Sequence, residues 1–249
     1  MILMKQKKYD LMCKQLYVID LLRLIKNEYS YSFIAKQTKI SASTLNRYAS
    51  GDIMPNPMRT EKLMSKLLEM FPLDKLLRNK LTTRDGYIDN SKILSDIILL
   101  RHISRFVVET YSGKRISKVA TIAADGIPLA VQVARELSVP VVYAKKNREV
   151  GIKKFIEEVV KINEAAIEFE LYIPKELLKR GDDILIVDDI IRDGAQQYAL
   201  LKIIKKARAE IVGIFTLIAI GDRWRNIKDL NGKVKYLLYF SEEELQTES

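Results

Sequence analysis

Between residues 16 and 25 the apolar side chains Val18, Leu21, Leu22 and Ile25 recur at helical spacing, and residues 27–31 end the pattern. A first helix is predicted there. A short segment at 32–37, a turn at 38–40 and a segment at 41–49 follow, before Gly51, Pro55 and Pro57 stop helix formation; a closing helix is predicted over 60–70. Ala35, Ile40 and Leu45 are spaced as a tight helix pair requires, with Ser41 a good N-cap for its second member. Leu45 and Tyr48 are expected to face a core. Beyond residue 90 the pattern alternates. A long amphipathic helix is predicted at 91–111, then strands at 119–123, 139–144, 168–173, 184–187 and 211–220, with helices at 127–138 and 196–208. Strands separated by helices predict a largely parallel sheet covered on both faces, and ligands bind such sheets beyond the carboxyl ends of the strands. Residues 78–90, containing Arg84-Asp85-Gly86, are expected to form a linker or turn.

Composition narrows the chemistry. With 249 residues and 48% apolar content the chain can build two cores. One cysteine, Cys13, and one histidine, His102, are too few for a disulfide framework or a Cys/His zinc site, and no nucleophile motif stands near His102, which is expected to be a surface or packing residue. Lys5, Lys7, Lys8 and Asp10 interrupt the N-terminus, so it does not read as a signal peptide; the apolar run 211–220 is too short to span a bilayer. A cytoplasmic protein without a membrane partner is expected. The net charge of +10 is unevenly placed: residues 1–80 hold 15 Lys/Arg against 7 Asp/Glu, leaving the remainder near neutrality. Polyanion-binding potential therefore lies in the first third.

The stretch FIAKQTKISASTLNRYASGDIMPNP, residues 33–57, resembles Cro and phage-repressor-type helix-turn-helix domains, over roughly residues 16–70. The resemblance implies a duplex DNA partner. It puts the second helix of the pair in the major groove with Ala42, Ser43, Asn46 and Arg47 outward and Thr44 near the backbone. Asn46 suits adenine, and Arg47 suits guanine or a phosphate. Lys39 stands where that family's turn usually has glycine and must accept a left-handed conformation. A helical pair serving only dimerisation is the alternative.

In the C-terminal two thirds, DILIVDDIIRDGAQ at 183–196 runs four apolar residues into Asp188 and Asp189, then a loop and a helix start. Helix-start amides suit an anion, and the acids suit ribose hydroxyls or a magnesium ion. The segment resembles the phosphoribosyl pyrophosphate signature of the type I phosphoribosyltransferase family. VATIAADGIPLA at 119–130 is similar to that family's pyrophosphate loop, with Ala124, Asp125 and Gly126 at the ligand. YAKKNREVG at 143–151 resembles the start of its mobile hood, with Lys145 and Lys146, and IAIGDRW at 218–224 sits where the family closes the base pocket. Trp224 is expected in the core or at the rim of that pocket.

The loop departs from the family in one respect. Arg192, Asp193 and Gln196 stand where active members usually have hydroxyls. Arg192 could grip a phosphate, whereas Asp193 and Gln196 have capping-box spacing, which would place a carboxylate on amides a phosphate needs. The predicted ligand set is thus Asp188, Asp189, Arg192, Asp193, Gly194, Ala195 and Gln196 with Ala124, Asp125, Gly126, Lys145 and Lys146. No catalytic residue, protein metal site or required cofactor is expected, only magnesium accompanying a phosphoribosyl ligand.

The fold class expected is α/β: an N-terminal all-α helix-turn-helix domain at 1–77, a linker at 78–90 and a type I phosphoribosyltransferase-like, mainly parallel α/β domain at 91–249. The combination resembles archaeal orotate-phosphoribosyltransferase-like regulators of sugar metabolism and, less closely, bacterial purine repressors. It implies a homodimeric transcription regulator sensing phosphoribosyl pyrophosphate or a nucleotide. An active phosphoribosyltransferase with an autoregulatory DNA-binding domain and an architectural DNA binder with a vestigial site stay open.

Overall fold

The computed structural model describes residues 2–162 and 167–246, which divide into two compact units: Met1–Lys80 with Asp96–His102, and Leu81–Ser95 with Ile103–Ser249.

The first unit begins with α1 (Ile2–Lys26), longer at its N-terminal end than the periodic stretch alone predicts. α2 (Tyr31–Thr38), α3 (Ala42–Ser50), α4 (Pro57–Met70) and α5 (Leu73–Arg78) follow. Each boundary has a local cause. The Ser30 hydroxyl accepts from the Phe33 amide, Ser41 from Thr44 and the Asn56 side chain from Arg59, while Pro57 opens α4 where no amide partner is needed. Lys39 ends α2 in the left-handed region with φ 56°, and its amide still closes the helix on Ala35 O. Val18, Leu21, Leu22, Ile25, Ile34, Leu45, Tyr48, Leu63 and Leu67 are buried, so α3 turns Leu45 and Tyr48 inward. His102 is buried and hydrogen-bonded through Nδ1 to the Tyr17 hydroxyl, a packing position.

The second unit opens with a hairpin of β1 (Thr82–Arg84) and β2 (Tyr87–Asp89). Residues 78–90 thus contain the turn expected at Arg84-Asp85-Gly86, flanked by two short strands. Asp85 and Gly86 both take positive φ, the two-residue Asp-Gly turn whose twist matches paired strands. The single helix expected at 91–111 is two helices, α6 (Ser91–Leu94) and α7 (Ile97–Thr110), because Asp96 Oδ1 accepts from the amides of Ile98 and Leu99 and restarts the chain as an N-cap.

Five parallel strands make the main sheet in the order β4-β3-β7-β8-β9: β4 (Val141–Ala144), β3 (Lys118–Ile122), β7 (Asp183–Ile191), β8 (Glu210–Ile220) and β9 (Val234–Phe240). β9 was not predicted. The three central strands are buried along most of their length, as parallel strands covered on both faces should be. α8 (Ile127–Leu137) follows β3 and α9 (Ala195–Lys206) follows β7. The chain leaves β3 toward β4 on one side and reaches β7, β8 and β9 on the other, so the order reverses between β3 and β7. That is the switch point at which such sheets leave a crevice. A separate antiparallel hairpin, β5 (Phe155–Ile162) and β6 (Ile167–Pro174), is tied to the end of β4 by reciprocal backbone bonds between Lys145 and Tyr172 at 3.0 and 2.8 Å. α10 (Glu242–Gln246) closes the described chain. No helix among the described residues is long and apolar enough to cross a membrane.

Candidate functional site

A cavity of about 410 Å³ opens beyond the ends of β3 and β7, lined by residues 122–126, Lys146, Asp188, Asp189, Ile190, Arg192, Asp193, Gln196 and Gln197. Two segments far apart in sequence, 122–126 and 188–197, thus face each other across it. β7 does not end before its acids, as the apolar run suggested. It continues through them to Ile191, pairing Asp188 with Thr216 and Ile190 with Ile218, so the acids are held in rigid strand rather than in a loop.

Both carboxyls are largely withdrawn from water. Asp188 accepts from Gln197 Nε2 at 2.7 Å and from the Asp189 amide at 3.2 Å; Asp189 accepts from Asn90 Nδ2 at 3.0 Å. Burial first, and the Asp189 charge second, push Asp188 well above the usual carboxylate range. Asp189 is also raised, mainly by burial, with Asp125 adding repulsion. Gly126 permits this packing: a Cβ there would overlap Thr121 Oγ1 and Asp188 Oδ1. Thr121 Oγ1 is buried with no partner among the described residues.

The folded protein holds protons on Asp188 and Asp189 at pH values where the unfolded chain has released them, so the pair lowers stability increasingly as pH rises from the ordinary value of 3.8 through the raised folded values. Asparagine mimics the protonated acid. Asp188→Asn should be more stable than the natural chain at neutral pH, with the difference shrinking in acid, as urea unfolding at a series of pH values would show. A difference that does not change with pH would contradict the account.

The loop after β7 meets expectation in composition and differs in bonding. Gly194, at φ 80°, precedes α9, and a Cβ would stand 2.9 Å from Trp224 Cβ and 2.8 Å from Leu230 Cδ1. Glycine is required there on two counts. Trp224 is in the core, its indole donating to Gly221 O at 2.9 Å. The capping box predicted from Asp193 and Gln196 does not form: Asp193 Oδ1 accepts from the Ala195 amide at 2.8 Å, and no side chain caps α9. Gly194 has taken the capping position, which moves the Asp193 carboxylate one residue short of it. Arg192 does not point a free guanidinium at the cavity. It donates to Glu242 Oε2 at 2.6 Å and to Gly86 O at 3.4 Å.

Of the two lysines, only Lys146 reaches this cavity, with Nζ 4.7 Å from the Phe169 ring centroid. Lys145 does not, because its backbone anchors the β5–β6 hairpin while its side chain pairs with Glu149 in a neighbouring cleft. Sequence reading missed Asn90, Gln197, Thr121 and Glu242. Gln197 was discoverable, as a polar residue on the buried face of α9; Asn90 lies 99 positions from its partner and carries no local signature.

In the first unit α3 leaves Ser43, Asn46 and Arg47 exposed and Ala42 and Thr44 half-buried. Thr44 and Ser41 border a groove of about 840 Å³ whose other wall carries Arg59, Lys62 and Lys66, with Lys39 at the turn and Glu69 the acid among its lining.

Residues 90–237 match the model of the phosphoribosyl transferase domain, the span that contains both segments of the acid-lined cavity. The chain belongs to the phosphoribosyl transferase domain family. Xanthine phosphoribosyltransferase of Lactococcus lactis subsp. cremoris is 30% identical over 155 residues, covering 58% of this chain and 78% of that protein. The probable purine biosynthesis transcriptional regulator PurR of Streptococcus pneumoniae serotype 4 is 30% identical over 145 residues, 55% of this chain and 52% of its own length. Adenine phosphoribosyltransferase from Thermoanaerobacter pseudethanolicus shares the fold, with a TM-score of 0.61 at 18% identity, over 67% of this chain and 99% of that one. The family therefore contains enzymes and a regulator at the same distance from this chain. What separates them must be read from the loop and from residues outside the phosphoribosyl transferase domain.

Proposed function

We propose that the protein is a homodimeric, DNA-binding transcription regulator whose phosphoribosyl transferase domain binds a phosphorylated ribose compound, phosphoribosyl pyrophosphate or a nucleotide, as its effector. The observation that carries the reading is α3: a helix capped by Ser41, anchored by buried Leu45 and Tyr48, presenting Ser43, Asn46 and Arg47 from a region that holds 15 basic against 7 acidic residues. Ser43, Asn46 and Arg47, with Ala42 beside them, are the base-reading set, and Thr44 with Arg59, Lys62 and Lys66 the phosphate-positioning set. Paired half-sites call for a two-fold dimer.

In the second unit Asp188 and Asp189 take the ribose hydroxyls, the amides of 124–126 and of the loop to Gln196 take phosphate, and Lys146 supplies positive charge. Their carboxylate oxygens also suit a magnesium ion, which keeps several waters and substrate phosphates as ligands. The test of the whole reading is titration of a selected duplex with the full chain, with and without phosphoribosyl pyrophosphate.

The second reading, a working phosphoribosyltransferase with an autoregulatory DNA-binding domain, is favoured by the 78% coverage of the xanthine enzyme. Against it stands the loop, where Arg192 is drawn to Glu242 and Asp193 holds the Ala195 amide. Turnover needs the reacting carbon held in line, and a loosened phosphate anchor misplaces it. Nucleotide formation from phosphoribosyl pyrophosphate with xanthine, adenine or orotate is expected to be absent or orders of magnitude below the ~10 s⁻¹ of a typical enzyme. Robust product with any of these bases, measured by chromatography, would promote the second reading.

A further inference from the structure

Side chains from the loop after β7 and from the turn after β8 converge on one carboxylate at the start of α10. Glu242 Oε2 accepts from Arg192 Nη2 at 2.6 Å, and Glu242 Oε1 accepts from Arg223 Nη2 at 2.9 Å and from Arg192 Nε at 3.4 Å. Two guanidinium groups therefore face a single point from opposite segments. Gly221, with φ 57°, makes the room: a Cβ there would approach Glu242 Cγ at 3.0 Å and Oε1 at 3.2 Å. The Glu242 side chain is one-third exposed, so it can return to water at small cost. Arg192 at the same time borders the acid-lined cavity.

We propose that Arg192 and Arg223 form an anion subsite at the rim of that cavity, built for a phosphate monoester and held in the unliganded chain by Glu242 as a resident competitor. The charge count at the cavity supports it. Asp125 and Asp193 line the cavity beside the buried Asp188 and Asp189, with Lys146 and Arg192 as its lining cations, and a phosphorylated ligand entering there needs further positive charge around its phosphate. Two planar guanidinium forks matched to three phosphate oxygens supply them, with more charge-assisted bonds than a carboxylate can accept. The resident carboxylate has a purpose in the unliganded chain: it keeps two like charges together. Arg192 is pinned at the same time through Nη1 to Gly86 O at the tip of the β1–β2 hairpin, so release of Glu242 leaves the fork in place. The bond from Arg192, the largest cause, holds the Glu242 carboxyl below its usual range, as expected where an anion is favoured.

This inference rests on the phosphoribosyl reading of the cavity, and its measurements are independent of DNA. The apparent affinity of a ligand is reduced by the fraction of protein whose site is open. Glu242→Gln removes the competitor, so calorimetric titration of the full-length variant should show inorganic phosphate and ribose 5-phosphate binding about tenfold tighter than to the natural chain, with ribose itself unaffected. Adding Arg192→Ala should cancel the gain. Unchanged or weaker phosphate binding in Glu242→Gln, or a gain that survives Arg192→Ala, would overturn the subsite. Should Glu242→Gln fail to fold, the carboxyl carbon resonance of Glu242 in the natural chain decides: saturating phosphate should move it to the position of a solvated glutamate, and a resonance that stays put refutes displacement. Phosphate binding that follows Glu242 in a protein indifferent to duplex DNA would keep the subsite and sink the regulator; selective DNA binding with phosphate affinity indifferent to Glu242 would do the reverse.

Discussion

Replacing Asn46 and Arg47 together by alanine in the full chain is expected to remove most of the discrimination between a selected duplex and an unrelated one. Each good bidentate pair to a base edge is worth about 1–3 kcal/mol, so removing two costs roughly 30-fold to 2 × 10⁴-fold in the affinity ratio. Both side chains are exposed on α3, so the fold should tolerate the change. Buried Leu45 and Tyr48, with the caps at Ser41 and Gly51, still hold the helix. The same residues provide the internal control. Lys62→Ala with Lys66→Ala, on the groove wall, should weaken binding to both duplexes alike and flatten the dependence on salt by about 0.9 logarithmic units for each DNA phosphate that is no longer neutralised. Fluorescence anisotropy with a duplex selected from a random pool, read at several salt concentrations, separates the two effects. A double variant at Asn46 and Arg47 that keeps the natural affinity ratio would remove α3 from the interface.

That much of the site was readable in advance because its causes are local. The Lys39 turn, the Ser41 cap and the inward Leu45 depend on neighbours within four residues, and the adjacency of Asp188 and Asp189 after an apolar run is visible in a single line of sequence. The central strands were legible for the same reason, each being a short apolar run buried on both faces. β9 is an edge strand, VKYLLYF, whose strand-forming apolar and aromatic run is interrupted only by Lys235, so its signal was present in the sequence and was overlooked. The other misses have longer reach. β5 interleaves Glu157 and Glu158 with apolar residues, and Glu158 is explained only by Lys202 and Lys206 on α9. The break before α7 turns on one aspartate choosing two amides over a helical conformation. In the cavity, Arg192 read as a free phosphate ligand because its partner, Glu242, stands 50 positions away. Sequence proximity displays which groups can do chemistry; their protonation and availability are set by tertiary neighbours.

The second large effect expected is a change in operator affinity on adding phosphoribosyl pyrophosphate or a nucleotide, abolished when Asp188 and Asp189 are both asparagine. An effector shifts DNA binding only through its different affinity for the DNA-competent and DNA-incompetent states, and couplings of this kind typically run to about 5–150-fold. The double variant is suited to the test because burial already penalises both charged carboxyls; neutral amides should sit there without unfolding the sheet. Asparagine at 188 still offers Gln197 an acceptor, whereas the natural acid can release its proton when ligand binds and present two acceptor oxygens to ribose hydroxyls, where an amide has one. Operator affinity without ligand should therefore match the natural chain, and the ligand response alone should vanish. Reciprocity supplies a second measurement on the same samples: saturating operator must change effector affinity by the factor by which effector changes operator affinity. A natural chain whose operator binding ignores every phosphorylated ribose tried, or a double variant that responds as the natural chain does, would separate the cavity from DNA control and leave α3 as an architectural DNA binder.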